Sequence, residues 1–334
     1  MSVAPEALRL AGQASARFLE ARWALAAGEA VKAGKLYRSA ADLWKLAALE
    51  VESISPTEAL RQRFNRLVAL VDSGDIPGAS AELPEVQQAI PRLLPDAVSQ
   101  DRMAQELKEI LQGLEGRRAE WTRDWNALSK DLRGVSEEIA DHWIRAYPGL
   151  PHSHWIASRV AERAGRLEDA REHVRNALDL DRTNTAFLAT YIKSLSATLP
   201  SNLAYPKMLE IYNEFGSRSA RICLMFALGM LELAHKGSIP RLNALETAAA
   251  SVDRAVHMDP NDLSAITWGF SRVFHQYCLW QLGRPGATAP WGVFRVQRGA
   301  EIVEITLVPT RSDPGQTPTE EDDAAILLGA PALS

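Results

Sequence analysis

Residues 151–184 read PHSHWIASRVAERAGRLEDAREHVRNALDLDRTN. Two helical patterns of roughly a dozen residues each fill this stretch, and Gly165 separates them. Ala170, Val174 and Ala177 follow one another at spacings of four and three residues, which places them on one face of the second helix. The stretch therefore predicts a helix–turn–helix unit.

The same 34 residues resemble one tetratricopeptide repeat, a unit of two helices. Counted from Pro151, Gly165 falls at the family's turn glycine, Ala170 at its small residue, and residues 177–181 at its closing stretch. The sequence departs from the family's pattern at Trp155, Ala157, Ser158 and Arg182. The resemblance implies an all-α solenoid of stacked helix pairs, and a general function in binding other proteins.

The repeat continues in two weaker copies. Residues 185–218 keep the phase, and a third copy closes at Ala255, which Met258-Asp259-Pro260 follows as in the family's ending. Ala255 lies 78 residues after Ala177, two periods of 34 plus ten, so we expect a lengthened helix over 219–235. A closing helix is expected over 261–282.

Apolar residues spaced by three and four also predict helices before the repeats. One covers residues 5–27, and a second follows after a break at Gly28 or Gly34. Ser55 and Pro56 predict the start of another helix, as its N-cap and its first residue. These helices are expected to form hairpins that bury alanine-rich faces.

The region between these N-terminal helices and the repeats has a less regular pattern. We expect only short helical pieces around its three prolines, because proline disfavours a helix interior: Pro84, Pro91 and Pro95. Residues 96–133 form the longest helical candidate, with a period close to that of a coiled-coil seam. This pattern favours a helix packed on its neighbours, and self-association through 96–133 stays open.

After Gly283 the sequence changes character. Residues 293–296 and 302–308 are β-prone and predict a small C-terminal hairpin, a second candidate for self-association. Residues 309–323 have the composition of a disordered tail. The segment 320–328 is acidic and then apolar, which suggests docking on a partner or folding back as a self-inhibitor. The domain boundaries predicted are 1–133, 134–283 and 284–334.

Composition bounds the class of protein. The chain has 334 residues, 46% of them hydrophobic, and no run that approaches the ~20 apolar residues of a membrane helix. The N-terminus lacks an uninterrupted apolar core, and both cysteines stand inside helical patterns, so we expect a cytoplasmic protein. The net charge of −5 argues against wholesale binding of phosphate, which makes nucleic acid an unlikely partner.

Motifs that would indicate catalysis are missing from the sequence. The segment Gly28–Lys35 has the wrong spacing for a phosphate loop. His142, His152 and His154 suit a metal site poorly. Cys278 has His275 three residues before it as a possible base, but Cys278 is better explained as a buried packing residue than as a nucleophile. We therefore expect no enzyme activity, no cofactor and no metal.

One set of residues is a candidate binding site. In tetratricopeptide repeats, set positions of the first helix line an inner groove, and the resemblance places that role on His152, Trp155, Arg159, Arg163 and, one repeat later, Lys193. Three cations would converge there, which suits a peptide carboxylate or acidic side chains. The competing interpretation is that these charges are merely solvated on a helix face.

The sequence thus favours a non-enzymatic scaffold or adaptor that binds another protein or a peptide in a helical-repeat groove. The alternative is a regulatory or accessory subunit of a multi-protein enzyme system, which needs only a binding surface. A helical solenoid that binds nucleic acid would require a contiguous basic stripe, whereas the charges here interleave.

Overall fold

The computed structural model describes residues 5–94, 96, 99–110, 112, 115, 116, 119, 135–258, 263–290, 292–298 and 301–307. These residues form a sequential array of helices that ends in a two-stranded hairpin. The chain divides into two compact units, Met1–Arg166 with Arg175–Arg182, and Leu167–Val174 with Thr183–Ser334. The predicted all-α fold with a small C-terminal β-hairpin is confirmed.

The helices of the first unit are α1 (Pro5–Ala26), α2 (Ala30–Val51), α3 (Pro56–Ser73), α4 (Ile76–Leu93), α5 (99–110), α6 (Glu137–Ala146) and α7 (Pro151–Arg163). The next helix, α8 (Leu167–Leu180), contributes residues to both units.

α1 and α2 form the predicted hairpin. α1 ends where Gly28 adopts a φ of 79°, so that the N–H of Glu29 donates to the carbonyl of Ala24 at 2.8 Å. The faces in contact are rich in alanine, and Ala14, Ala21 and Ala33 are fully buried. Small side chains allow the two helix axes to approach closely, which explains the alanine spacing in the sequence.

α4 corrects one expectation. Short helical pieces were predicted around Pro84 and Pro91, yet both prolines lie inside a continuous helix. Each proline leaves one carbonyl, four residues earlier, without its intrahelical partner. Both lie on the exposed face of α4, where water can hydrate that carbonyl, while Val86 and Ile90 on the opposite face are buried. Burial of the apolar face outweighs the two lost hydrogen bonds.

The turn Tyr147–Leu150 packs backbone to backbone against two other elements. A Cβ at Gly34 of α2 would lie 1.9 Å from the carbonyl oxygen of Pro148. A Cβ at Gly149 would lie 2.4 Å from the Cβ of Ser73, which ends α3. The Gly149 N–H donates to the Ser73 carbonyl at 2.7 Å. Glycine is therefore required at both positions by close approach rather than by flexibility.

A buried carboxylate joins α2 to the α3–α4 turn. Asp75 caps α4 by accepting from the Gly78 N–H at 3.0 Å, and the Arg38 guanidinium of α2 lies 3.0 Å from its other oxygen. Burial raises the pKa of Asp75 above its ordinary value, although the Gly78 N–H and the Arg38 charge act in the opposite direction.

The described part of 96–133 packs inside the first unit. Leu107 is buried in the core cluster that also contains Leu60 and Phe64, with Met103 and Ile110 packed against it. These are the residues of the proposed seam, so the interpretation as a helix packed on its neighbours holds for α5. The later residues of the predicted seam lie outside the described residues: Leu114, Trp121, Trp125, Leu128 and Leu132.

The second unit contains α9 (Thr185–Thr198), α10 (Ser201–Phe215), α11 (Ala220–His235), α12 (Arg241–His257) and α13 (Ala265–Gln281). α9 and α10 coincide with the predicted copy 185–218, and α11 matches the lengthened helix expected over 219–235. The closing helix begins at Ala265, with Ser264 as its N-cap, rather than at Asn261.

α11 forms the core of the second unit. Thirteen of its sixteen residues are buried, as expected for a helix that neighbours surround. Gly229 lets Met208 of α10 approach, because a Cβ there would lie 2.4 Å from the Met208 methyl carbon. At the end of α11, the Lys236 ammonium donates to the carbonyls of Ser196 and Ala197 at 2.7 and 3.0 Å, and so caps the end of α9.

The hairpin comprises β1 (Gly292–Arg298) and β2 (Glu301–Leu307), paired antiparallel from Gly292–Leu307 to Arg298–Glu301. It packs on α13, and Ile305 is buried. Packing on a helix supplies the support that an isolated two-stranded hairpin lacks in water. The expected disordered tail 309–323 and the segment 320–328 lie outside the described residues.

The contact at Gly34 predicts a stability difference between two glycines of the first helical hairpin. Gly34→Ala should lower the free energy of unfolding by about 1–3 kcal/mol, because the turn at Pro148 must move. Gly12→Ala is the control: its Cβ meets nothing within 4 Å, and helix propensity should raise stability by up to about 1 kcal/mol. Urea unfolding at sub-micromolar protein measures both, and a Gly34→Ala variant as stable as Gly12→Ala would contradict the contact.

The raised pKa of Asp75 predicts a pH dependence with a definite sign. A carboxyl whose pKa is higher in the folded state binds a proton more tightly there, so its contribution to stability rises as pH falls through the folded pKa toward the ordinary value near 4. Asp75→Asn keeps the oxygen that accepts from Gly78. Urea unfolding should therefore show the difference between wild type and Asp75→Asn shifting in favour of wild type from pH 7 to pH 4, and a constant difference would refute this.

Candidate functional site

A cleft in the first unit lies where the α1–α2 turn meets α6. Its volume is about 790 Å³. Its lining consists of Arg17 of α1, Gly28 and Glu29 of the turn, residues 30–32, Lys35, Leu36 and Ser39 of α2, and Asp141, Ile144 and Arg145 of α6.

The α1–α2 turn shapes one wall of the cleft. Gly28 ends α1 in a left-handed conformation, and α2 begins two residues later at Ala30. Glu29 occupies the N-cap position but makes no capping hydrogen bond; its carboxylate lies 2.7 Å from the Lys32 ammonium instead. Residues 30–32, at the start of α2, line the cleft, and no side chain caps this helix end, so the positive end of the helix dipole lies beside the cleft.

Positive charge predominates in the lining. Four cations stand there against the carboxylates of Glu29 and Asp141: Arg17, Lys32, Lys35 and Arg145. Arg17 pairs with Glu20 at 2.9 Å, and Lys35 pairs with Asp179 at 2.8 Å. Arg145 is exposed and forms no ion pair within the described part of the chain.

The cleft also offers apolar surface. Ile144 is buried at its wall, and Val31 and Leu36 are half-buried. A cation-lined cleft with aliphatic walls can bind a group that carries both a carboxylate and an apolar side chain. The exposed ion pairs at Lys32 and Arg17 are worth little individually, so an incoming anion can compete for these cations.

The predicted groove residues of the first unit share one face of α7. Trp155 is buried, with 7% of its surface exposed, and Arg159 pairs with Glu162 at 2.6 Å. The Arg163 guanidinium donates to the carbonyl of Val135. Burial lowers the pKa of His152 and so favours the neutral imidazole, and the nearby Asp181 charge opposes this.

Lys193, the fifth predicted residue, is exposed on α9 in the second unit. The convergence of Arg159, Arg163 and Lys193 on one groove therefore stays a prediction. Each of the two arginines already has a partner within the first unit.

The cysteines of the chain and His275, candidates for a nucleophile and its base, lie in packed surroundings. Cys223 and Cys278 are both fully buried and not disulfide-bonded, and the Cys223 thiol donates to the Gly216 carbonyl at 2.9 Å. Burial lowers the pKa of His275, which lies 3.8 Å from an oxygen of Asp253. Within the described ranges, no three His, Cys, Asp or Glu side chains are grouped so as to hold a metal ion.

The sequence contains a signal for the cleft that a motif search does not use. Lys32 and Lys35 stand three residues apart, four and seven residues after the helix-ending Gly28, in a segment whose spacing does not fit a phosphate loop. Spacing of three places both on one side of α2. Arg145 comes from α6, more than a hundred residues later, and only the tertiary fold brings it to the same cleft.

Comparisons of the chain with protein-family models, with curated proteins and with solved structures find no match. The structure itself establishes a helical-repeat-like array in which consecutive helices pack on their neighbours. Among the described helices, none is both long and apolar enough to cross a bilayer. Membership of the tetratricopeptide family stays a prediction.

The different surroundings of Arg145, in the cleft, and Arg38, at the buried Asp75, predict different effects of their substitution on stability. Arg145→Glu should change the free energy of unfolding by less than about 1 kcal/mol, since only the favourable position at the end of α6 is lost. Arg38→Gln should cost about 1–3 kcal/mol, because it leaves the buried Asp75 carboxylate without its ion pair. Chemical denaturation measures the free energy of unfolding of both variants. Equal losses would contradict the expectation that the exposed Arg145 matters less for stability than Arg38.

Proposed function

We propose that the chain is a non-enzymatic scaffold that binds another protein. What carries the proposal is the cleft between the α1–α2 turn and α6, where cations surround aliphatic walls. This combination suits an acidic segment with neighbouring apolar residues, because its carboxylates can meet Lys32 and Arg145 while its apolar side chains cover Val31 and Leu36.

The resemblance to tetratricopeptide repeats supports the same class of function. Stacked helix pairs of that family present surfaces on which peptides dock, and the residues proposed for such a groove are His152, Trp155, Arg159, Arg163 and Lys193. The cleft and this groove are separate candidates for the binding surface. The cleft is favoured because Arg145 forms no ion pair with any residue that the structure describes, whereas Arg159 and Arg163 have intrachain partners.

The alternative is an accessory subunit of a multi-protein enzyme system. It would use the same surfaces, but its partner would be a catalytic chain. Binding of nucleic acid is disfavoured by the net charge of −5 and by carboxylates inside the cleft itself, at Glu29 and Asp141. Neither alternative requires a catalytic residue in this chain.

Affinity purification of the full chain from its own cells, followed by quantitative mass spectrometry, tests the proposal. Lys32→Glu/Arg145→Glu should reduce the recovery of at least one protein partner about tenfold, because two attractive contacts become repulsive. Arg92→Glu/Arg175→Glu is the matched control, since both arginines are exposed and lie outside the cleft. It should leave recovery unchanged.

A second arm reverses Arg159, Arg163 and Lys193 together. Loss of the partner in this arm alone would move the binding site from the cleft to the predicted groove. If every partner persists in both arms, neither surface binds, and the scaffold proposal fails for both. A partner that is itself an enzyme would select the accessory-subunit alternative.

A further inference from the structure

The outward side of α1 is apolar, although it faces solvent. Leu8, Leu19 and Trp23 are 60%, 50% and 71% exposed. The spacings of eleven and four residues place all three on one face of the helix. The opposite face carries the residues buried against α2, among them Leu10 and Ala14.

The residues between these large side chains are small and uncharged. Gly12, Ser15 and Ala16 complete the stripe from Leu8 to Trp23, and all of them are exposed. A surface helix ordinarily places charged residues opposite its buried side. Here the charges of α1 stand beside the stripe, so the stripe has the composition of an interface rather than of a solvated face.

The stripe is complementary to itself. Around the midpoint between Ser15 and Ala16, an antiparallel copy of α1 places Leu8 opposite Trp23 and Gly12 opposite Leu19, because each pair of residue numbers sums to 31. Such pairing is what a two-fold axis requires of an interface. The small residues at the centre let the helix axes approach, and the large ones close both ends.

The charges beside the stripe are complementary as well. Arg9 and Glu20 lie on the same flank of α1, and in an antiparallel pair the same flanks face each other. Arg9 of one copy would then lie close to Glu20 of the other, twice per dimer. In the single chain these side chains make exposed ion pairs along their own helix, with Glu6 and Arg17, which can be exchanged at small cost.

We propose that a second copy of this chain covers the outward face of α1, as an antiparallel α1–α1 pair around a two-fold axis. α1 has 22 residues and is about 33 Å long at 1.5 Å per residue. Its stripe buries on the order of 500 Å² per partner, near the lower end of specific interfaces. The dimer therefore forms reversibly at micromolar concentrations. This surface is separate from the cleft and does not depend on the proposed function.

Sedimentation equilibrium of the full chain between 1 and 100 µM tests the pair, with concentrations chosen for the affinity expected of an interface of this size. The average mass should rise from 36.7 kDa toward twice that value. Leu19→Glu should abolish the rise. Leu242→Glu is the matched control, since Leu242 is also an exposed leucine, at 61% against 50% for Leu19, but lies on α12. It should dimerise like wild type.

Charge exchange tests the orientation. Arg9→Glu should weaken dimerisation about tenfold, and Arg9→Glu/Glu20→Arg should restore it to within about threefold of wild type. Circular dichroism of each variant checks that α1 remains helical. Loss without restoration would overturn the antiparallel arrangement.

Cross-linking gives an independent readout. Ser15→Cys, next to the axis, should form an intermolecular disulfide on mild oxidation. Leu8→Cys should not, because its two copies lie about 22 Å apart along an antiparallel pair. The native Cys223 and Cys278 are buried and provide the background. A chain that is monomeric at 100 µM, or a dimer that Leu19→Glu leaves intact, would overturn the proposal and assign the face to a different protein or to another segment of this chain.

Discussion

The packing of the turn Tyr147–Leu150 against α2 and the end of α3 is the constraint on which the first unit depends. It is made by backbone atoms: the Pro148 carbonyl against Gly34, and the Gly149 N–H bonded to the Ser73 carbonyl. Tyr147 also contacts Gly74, whose φ of 78° ends α3. Contact at this distance tolerates no side chain, so three glycines far apart in sequence are coupled by one turn.

The function proposed for this unit follows from the same contact. α6 precedes the turn directly, and its last residues carry Ile144 and Arg145 into the cleft. Gly34 fixes the distance between the turn and α2, which carries Lys32 and Lys35. The cations of the cleft therefore owe their proximity to a backbone contact that contains no charge. The ion pair between the half-buried Arg38 and the buried Asp75 holds α2 to the start of α4.

Local pattern was sufficient to predict most of the helices. Spacing of three and four, Gly28, Gly165 and the Ser55-Pro56 start signal predicted helix ends to within a few residues, because caps and glycine act over one turn. Ser55 nevertheless makes no side-chain cap bond. The prediction that Pro84 and Pro91 interrupt the helix was wrong. Whether α4 tolerates them depends on which of its faces is buried in the tertiary structure, and a local pattern does not specify that face.

The candidate site was less accessible to sequence reasoning. The sequence leaves the break between α1 and α2 at Gly28 or Gly34; the break is at Gly28, and Gly34 lies inside α2 as a contact point for Pro148. The role of Arg145 depends on a partner element more than a hundred residues away, and no spacing rule reaches that far. The apolar stripe of α1 was visible in the sequence only as extra leucine and tryptophan, because the pattern does not say which face α2 covers.

Native-state hydrogen exchange at the Gly149 amide tests the central claim most directly. If the turn is an integral part of the first unit, this amide should exchange with the same free energy of opening as amides in the middle of α2, such as that of Ala40. Exchange of Gly149 that is faster by several orders of magnitude, while Ala40 stays protected, would show that the turn opens independently and that α2 does not depend on it.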